Sequence, residues 1–529
     1  MNNVNVGLFN KIRENVLKIL CLFFVIIATI VFTLSVTYNV KVSMNGSETP
    51  LVSLNPTYWF LIFLFWLIAL VIIQPQLNRV KSKWLFLILL VIFLICGSYL
   101  VIFSDDYLRG SNPSSLLRVD PGSCVTIARH LNNGLYIDLK KNGYAYMYPF
   151  QLYWISFLRL LLKINNTVRF LYWMNLLFSA MSLIFTYLIS RKLLKEQNKI
   201  NTSIILSFTF FPILFNVLFV YSNVMALLLF LIASYFAVCY AKDKGQFKLY
   251  TAIFFYVGAS LIKNNYLIGI ISFFIVLCLS NETVKSKVVA ILLVIVLLTI
   301  SNVFISSYYS LKSHTQISTN NGIPKSSYIV MGLSESGLKS GWFDGSTVRE
   351  FMAEGYSTKK TNIVSKKKLE NKVKYLVRHP KNLINLFYNK WVTTWGDPTY
   401  ESLFNAPLST WGGKLKTRLM KKIYEKNQST QLAKTIRRIS QISVWTILLL
   451  SILSSLHLIL NMDFKPNSFL LYSVYVFLFF VGGFIFHTIW ETKSQYVYQY
   501  IFLLIVPASV SVDYIYNAIE NISGVSDKA

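Results

Sequence analysis

The sequence predicts an all-α polytopic membrane protein with about twelve transmembrane helices, interfacial helices and a small, mainly helical extracytoplasmic domain. Three observations predict this class. Of the 529 residues, 54% are hydrophobic and only 14% are charged, and the mean hydropathy is +0.52. Apolar segments long enough to cross a bilayer recur along the chain. These segments are continuous and do not alternate with polar residues, which favours helices over the strands of a barrel.

The charges between the apolar segments predict how the chain crosses the membrane. The predicted spans are 16–37, 57–75, 84–103, 168–190, 202–220, 224–241, 248–262, 265–280, 287–307, 441–460, 468–489 and 496–516. Lysine and arginine cluster in the short loops 79–83, 191–199, 242–248 and 285–287. Because short basic loops stay in the cytoplasm, both termini are predicted to be cytoplasmic and the weakly charged loops to lie outside.

Two long polar segments interrupt the spans, and both fall on the outer side. They divide the chain into an N-terminal transmembrane module (1–306) with an outer loop at 104–167, an extracytoplasmic domain (307–440) and a C-terminal transmembrane module (441–529). The apolar stretch 148–162 would reverse every later loop if it crossed the membrane. We therefore expect it to form a helix along the outer interface.

Composition also narrows the partners. The net charge of +29 favours an anionic membrane surface or a phosphate ligand over nucleic acid, because most of the chain is predicted to be embedded. Four of the five cysteines lie in apolar segments, and no pair has the spacing of metal ligands. The sequence therefore predicts no metal site, and a requirement for a divalent cation, Mg²⁺ or Mn²⁺, stays open.

The outer loop 104–167 carries acidic residues close to the predicted membrane surface. Asp105 and Asp106 follow the third span directly, and Asp120 opens an amphipathic stretch that ends at an Asn-Gly pair. A Pro in the position after Asp120 suits the first turn of a helix. Asp120 thus occupies the position of a helix N-cap, a role that Asp often fills, and its spacing alone does not indicate catalysis.

This loop and later outer segments resemble bacterial membrane glycosyltransferases of the GT-C superfamily, including the protein O-mannosyltransferase-like enzymes that use polyprenyl-phosphate sugars. The matching residues are Asp120, Ala128, Gly134, Tyr148, Pro149 and Gln151, then Tyr221-Ser222-Asn223, Lys263-Asn264-Asn265, Gly322-Ile323-Pro324, Met331-Gly332-Leu333, Gly341-Trp342 and His487 to Tyr496. The resemblance covers most of the chain and implies a GT-C-type fold. The sequence departs from the family pattern at Asn223, where relatives often have an acidic residue, and at Gln495, where an arginine is expected.

The resemblance implies a site at the outer ends of the spans. Asp120 is the predicted general base of an inverting transfer, with Asp105 and Asp106 as alternatives, because a lipid phosphate is already a good leaving group and the acceptor hydroxyl must lose a proton. The cations predicted to hold the donor phosphate are Lys263, Lys493 and Arg129. The other substrate-binding positions implied by the resemblance are Tyr148, Gln151, Tyr221, Asn223, Glu491 and Gln495. For the two lysines, snorkelling at a helix end is the alternative.

The predicted function is that of an integral membrane glycosyltransferase. It would move a sugar from a polyprenyl-phosphate-linked donor to a cell-envelope acceptor (glycan, teichoic polymer, lipid or protein) on the outer face of the cell membrane. The alternatives are a transporter or flippase of lipid-linked glycans, and a glycan polymerase or ligase. Transporters usually place ionisable groups or broken helices near the membrane midplane, whereas the predicted span interiors are almost free of charge.

Overall fold

A computed structural model of the chain describes residues 2–45, 47–104, 119–406, 417–424, 428–461 and 467–523. The alternative bases Asp105 and Asp106 lie outside these residues. The first helices and strands are α1 (Asn2–Thr37), β1 (Tyr38–Asn45), β2 (Ser47–Leu54), α2 (Thr57–Ile72), α3 (Gln74–Arg79) and α4 (Ser82–Phe103). Three short helices follow: α5 (Val119–Asn132), α6 (Tyr144–Met147) and α7 (Leu152–Ile164).

The middle and the end of the chain are helical as well. The central helices are α8 (Val168–Leu193), α9 (Gln197–Thr209), α10 (Pro212–Phe215), α11 (Ser222–Asp243), α12 (Gln246–Ile262), α13 (Leu267–Leu279) and α14 (Val284–Ser313). The second polar segment contains α15 (Lys325–Gly332), α16 (Ser346–Ala353), α17 (Thr358–Arg378), α18 (Pro380–Trp395), α19 (Ser402–Asn405) and α20 (Arg418–Ile423). The last helices are α21 (Gln431–Asn461), α22 (Ser468–Ile489), α23 (Tyr498–Phe502) and α24 (Ile505–Ser523).

Many of these helices have the length and composition of membrane spans. Among the described residues, seven helices are long and apolar enough to cross a bilayer, and α9 with α10 would make an eighth across a bend of 47°. Shorter apolar helices, α2, α12 and α13, lie between them. The protein is therefore a helical, multi-pass membrane protein, and its described residues form one hairpin besides the helices. The count of twelve spans stays a prediction.

The helix bundle has two chemically different ends. At one end the short basic loops contact acidic residues of neighbouring loops and helices: Lys192 and Lys248 pair with Asp243, and Lys199 pairs with Asp513 at 3.2 Å. The N-terminal helix reaches the same end, where Arg13 donates to Asn281. The hairpin, α5 to α7 and α15 to α20 lie at the opposite end. The loops that the sequence predicts to be cytoplasmic therefore converge.

The hairpin β1–β2 is a departure from the predicted all-α fold. It is antiparallel, and Tyr38 lies opposite Leu54. Val40 and Val42 alternate with polar residues, which is the pattern of a half-buried strand. Val40 packs with Leu34 at the end of α1, while Val42 packs in a cluster with two aromatic residues of the second polar segment, Trp342 and Phe404. The strands are therefore stabilised by contacts distant in sequence.

Helix α7 corresponds to most of the ambiguous stretch 148–162. It has 13 residues, so its length is about 20 Å, which is less than the roughly 30 Å of the hydrocarbon core. Its buried face includes Leu152, Ile155 and Leu158, while Leu160 is exposed. This length and amphipathic character favour a position along the interface over a membrane crossing.

Candidate functional site

Asp120 lies in the first turn of α5, where it is half-buried. The hydroxyl of Tyr144, at the start of α6, hydrogen-bonds to its carboxylate. Burial raises the pKa of Asp120, the nearby ammonium of Lys493 opposes that rise, and the carboxylate of Glu48 adds to it. Asp120 therefore interacts with charged groups from the hairpin and from the segment after α22, beyond the helix that it begins.

Lys493 is the centre of a carboxylate cluster. It forms an ion pair with Glu48 of β2, and its ammonium lies 6.0 Å from the ring centroid of Trp342. Burial alone would lower the pKa of Lys493, but the carboxylates of Glu48, Glu401 and Glu491 outweigh burial and raise the pKa. The positive charge of Lys493 is therefore already balanced by protein groups.

Lys263 lies in a different environment although it is close by. It follows α12, its side chain is buried, and its ammonium donates a hydrogen bond to the side-chain oxygen of Asn223. The ring centroids of Tyr496 and Tyr221 lie 5.3 Å and 5.8 Å from its nitrogen. Burial lowers the pKa of Lys263 to about 7. A snorkelling lysine would extend its nitrogen into water, so this geometry argues against that alternative.

Two tyrosines connect the surroundings of the two lysines. Tyr221 accepts a hydrogen bond from the amide of Gln151 at 2.6 Å, and the hydroxyl of Tyr496 donates to Glu491 at 3.3 Å. Burial and then the negative charge of nearby carboxylates, Asp120 among them, raise the pKa of both tyrosines. Burial also raises the pKa of Glu491 to about 7. The cluster is thus a buried set of phenols, carboxylates and lysines.

Hydrogen bonds of amide side chains connect the segments that form the cluster. Asn223 donates to the backbone carbonyl of Gln495 at 3.3 Å, and the side chain of Gln495 accepts from Asn405 at 3.1 Å. Tyr148 lies close enough to Asp120 for its pKa to be raised by that carboxylate in addition to burial. The structure thus brings together nine of the predicted site residues: Asp120, Tyr148, Gln151, Tyr221, Asn223, Lys263, Glu491, Lys493 and Gln495.

The structure places Arg129 elsewhere. It lies in the last turn of α5, about 13 Å along the helix from Asp120. Its guanidinium donates to the side-chain oxygen of Asn166 at 2.7 Å and to the backbone carbonyl of that residue at 3.2 Å. Because Arg129 points to the loop before α8, we leave it out of the phosphate site proposed below.

Sequence reasoning missed residues that approach the cluster from distant segments. Glu48 belongs to the hairpin, which was not predicted. Glu401 follows α18 in a left-handed backbone conformation (φ 59°) and accepts a hydrogen bond from Ser494 at 2.9 Å. Burial raises the pKa of Glu401 to about 7. The conspicuous segment Trp-Gly-Asp-Pro-Thr-Tyr-Glu at 395–401 was the available signal for Glu401.

In the part of the chain that the structure describes, no three His, Cys, Asp or Glu side chains are grouped to hold a metal ion. The requirement for a divalent cation stays open. The chain matches no protein-family model and no curated protein. What the protein does must therefore be inferred from the chemistry of this cluster.

Proposed function

We propose that the protein is a membrane glycosyltransferase that moves a sugar from a polyprenyl-phosphate donor to a cell-envelope acceptor on the outer face of the membrane. One observation carries the proposal: Asp120 and Lys263 belong to the same buried cluster at the end of the bundle opposite the basic loops. The described contacts of the Lys263 ammonium are with neutral groups. A base and an available cation are what this transfer needs.

Lys263 is the residue that we assign to the donor phosphate. A polyprenyl-phosphate sugar is a phosphodiester with a single negative charge, and a charge-assisted hydrogen bond to it would hold Lys263 in its ammonium form. Leu267 and Ile271 of the adjoining α13 are exposed on the bundle surface, where the prenyl chain can lie in the bilayer. Lys493 is already paired with Glu48, so we assign it a different role from phosphate binding. Its positive charge lowers the pKa of Asp120.

Asp120 is the residue that we assign to the acceptor. As the acceptor oxygen attacks the anomeric carbon, Asp120 takes the hydroxyl proton, and the carbon–oxygen bond to the phosphate breaks with its electron pair on the leaving phosphate. One displacement of this kind inverts the anomeric configuration. Burial strengthens Asp120 as a base, while the charge of Lys493 helps to keep it ionised. Tyr148 and Gln151 are assigned to orient sugar hydroxyls.

The resemblance to GT-C glycosyltransferases, from which these roles were expected, also supports the proposal. The sequence departs from that pattern at Asn223 and at Gln495, and these two residues are hydrogen-bonded neighbours. An acid and an arginine expected at these positions are thus replaced together by two neutral amides. The joint replacement leaves the net charge of the two positions at zero.

The first test replaces the proposed base. Asp120→Asn keeps the shape of the side chain but removes the proton acceptor, so transfer should fall about 10²- to 10⁴-fold while the protein still folds. The measurement is sugar transfer from lipid extracts by purified protein. Asp138→Asn is the matched control, because Asp138 belongs to the same outer segment and pairs with His130 at 2.7 Å.

The outcome also separates the alternatives. Full activity of Asp120→Asn would remove Asp120 from the mechanism, and inactivity of Asp105→Asn or Asp106→Asn would then identify the base. Cells without the protein should accumulate a polyprenyl monophosphate sugar and lose that sugar from one envelope polymer. Accumulation of a pyrophosphate-linked oligosaccharide would instead indicate a polymerase or ligase, and retention of the lipid-linked glycan on the cytoplasmic leaflet would indicate a flippase.

A further inference from the structure

Lys390 of α18 is a buried lysine whose ammonium binds three backbone carbonyls. Its nitrogen donates to Gly332 at 2.6 Å, to Trp490 at 2.7 Å and to Thr488 at 2.9 Å. Three acceptors require three N–H groups, which the protonated form of lysine supplies and the neutral amine does not. Burial lowers the pKa of Lys390 to about 7, but the three carbonyl acceptors favour the ammonium form. The geometry therefore describes a clamp that, when charged, joins two separate segments of the chain to α18.

The three carbonyls lie at the ends of two helices. Thr488 and Trp490 lie at the C-terminal end of α22, and Gly332 is the last residue of α15. Carbonyls in the last turn of a helix lack a partner within that helix, and they carry the negative end of its dipole. Lys390 thus caps two helices with one charge and holds their ends against α18.

The segment that follows α22 is enclosed from both sides. A Cβ atom on Gly332 would lie 2.2 Å from the carbonyl oxygen of Ile489, and one on Gly341 would lie 2.4 Å from Cε of Lys390. The backbone N–H of Thr492 donates to the carbonyl of Gly341 at 2.9 Å. The hydroxyls of Thr492 and Thr394 are 3.1 Å apart. Residues 488–492 therefore have little room to move while Lys390 holds its three hydrogen bonds.

We infer that Lys390 is a positioning residue that places Glu491 and Lys493 in the cluster around Asp120. Glu491 directly follows one of the clamped carbonyls, and Lys493 lies two residues further along the same segment. The second polar segment, which contributes Lys390 and both glycines, thereby sets the arrangement of charges at the end of the bundle. The catalytic consequence rests on the proposed function, whereas the positioning of Lys493 does not.

If Lys390 served only the stability of the fold, its loss would have a different effect on Lys493. Its loss would either unfold the protein or leave the surroundings of Lys493 unchanged in whatever folded protein remained. A positioning role predicts that Lys493 moves away from its carboxylate partners in a protein that is still folded. The reactivity of the Lys493 amine distinguishes the two, because these carboxylates keep that amine protonated.

The test measures acetylation of Lys493 by acetic anhydride in the purified full-length protein, followed by mass spectrometry across a pH series. In Lys390→Met the amine should react about tenfold faster for each unit by which its pKa falls. Lys372→Met is the matched control, because Lys372 lies on α17 in the same polar segment and pairs with Glu335 at 2.9 Å. Its replacement should leave the rate at Lys493 unchanged.

A milder variant serves if Lys390→Met does not fold. Lys390→Gln keeps a polar N–H donor at this position but removes the charge and the third N–H group, so acetylation of Lys493 should rise in the same direction by a smaller factor. An unchanged acetylation rate in folded Lys390→Met would overturn the inference. If Lys390→Met is unfolded, an unchanged rate in folded Lys390→Gln would overturn it as well.

Enzyme kinetics add a readout that depends on the proposed function. Without Lys493 opposite Asp120, the carboxylate binds its proton more tightly, so the acid limb of the pH–rate profile should move to higher pH and kcat should fall. The donor KM should change little, because Lys263 lies outside the clamp. Acetylation of Lys493 could be faster in Lys390→Met although the wild-type protein has no transferase activity. That result would uphold the positioning role and reject the proposed function.

Discussion

Lys263 and Lys493 show how neighbouring residues of one type acquire different properties. Both are buried in the same cluster, but the pKa of Lys263 is lowered to about 7 while the pKa of Lys493 is raised. Burial acts on both in the same direction, so the difference comes from Glu48 and the other carboxylates around Lys493. Local sequence does not reveal this difference, since Glu48 reaches Lys493 across 445 positions of the chain.

The pH dependence of donor use follows from the pKa of Lys263. As the pH rises through about 7, the unliganded lysine loses its charge and with it the attraction for the phosphate. We expect kcat/KM for the donor to fall by about tenfold per pH unit above that value. In Lys263→Arg the charge persists, because arginine stays protonated at these pH values, and this alkaline limb should disappear. The same fall in both proteins would assign the limb to another group.

At the scale of elements, α9 and α10 meet at a bend of 47°. Pro212 begins α10 and lacks an N–H group, so the regular ladder of hydrogen bonds cannot continue through it. Asn175 of α8 donates to the carbonyl of Phe219 at 2.9 Å and to that of Val217 at 3.3 Å. Broken spans also occur in transporters, but here a neighbouring helix occupies the carbonyls beyond the bend. The bend thus has a structural explanation.

The stability of this bend can be tested at Asn175. Asn175→Leu leaves the buried carbonyl of Val217 without its amide partner, which should cost about 1–3 kcal/mol. The carbonyl of Phe219 still accepts from the backbone N–H of Tyr221 at 2.8 Å. The expected result is a lower denaturant midpoint for the protein in detergent. Asn321→Leu, at an exposed position, is the control and should unfold like the wild type. Equal midpoints for both variants would mean that water or another group satisfies the carbonyl of Val217.

Other elements show which signals in the sequence were sufficient. The apolar segments predicted the long helices, because hydrophobicity over roughly 20 residues is a local property. The hairpin was missed, although Val40 and Val42 alternate with polar residues, because that signal is short and lies next to a strong helical one. Asp120, Lys263 and Lys493 were selected by the resemblance together with their predicted outer positions, and no local pattern indicated Lys390.

At the scale of the whole molecule, the two ends of the bundle differ in chemistry. The basic loops meet at one end, and the cluster around Asp120 lies at the other. Because basic loops stay in the cytoplasm, we expect the cluster to face outward. An outer position for α17 is compatible with this expectation despite its many lysines, since long translocated segments escape the rule.

Cysteine labelling tests this orientation directly. Lys367→Cys on α17 should react with a membrane-impermeant maleimide in intact cells, whereas Lys195→Cys, between α8 and α9, should react only after the cells are opened. Both lysines are exposed, so accessibility on the protein surface does not differ between them. Cys96 and Cys278, which are also exposed, are first replaced by serine. Labelling of Lys195→Cys from outside would reverse the orientation after α7.

The sequence by itself determined that the chain is a helical membrane protein, where its long helices lie and which loops share an end of the bundle. Hydropathy and charge are properties of short segments, so they predict helices and loops without knowledge of which helices are in contact. Only the tertiary structure decided that Glu48 pairs with Lys493, that Lys390 binds a carbonyl 100 residues away, and that Arg129 stays with Asn166. Those contacts depend on which helices are neighbours in the bundle. Helix surfaces of similar apolar composition do not specify their neighbours.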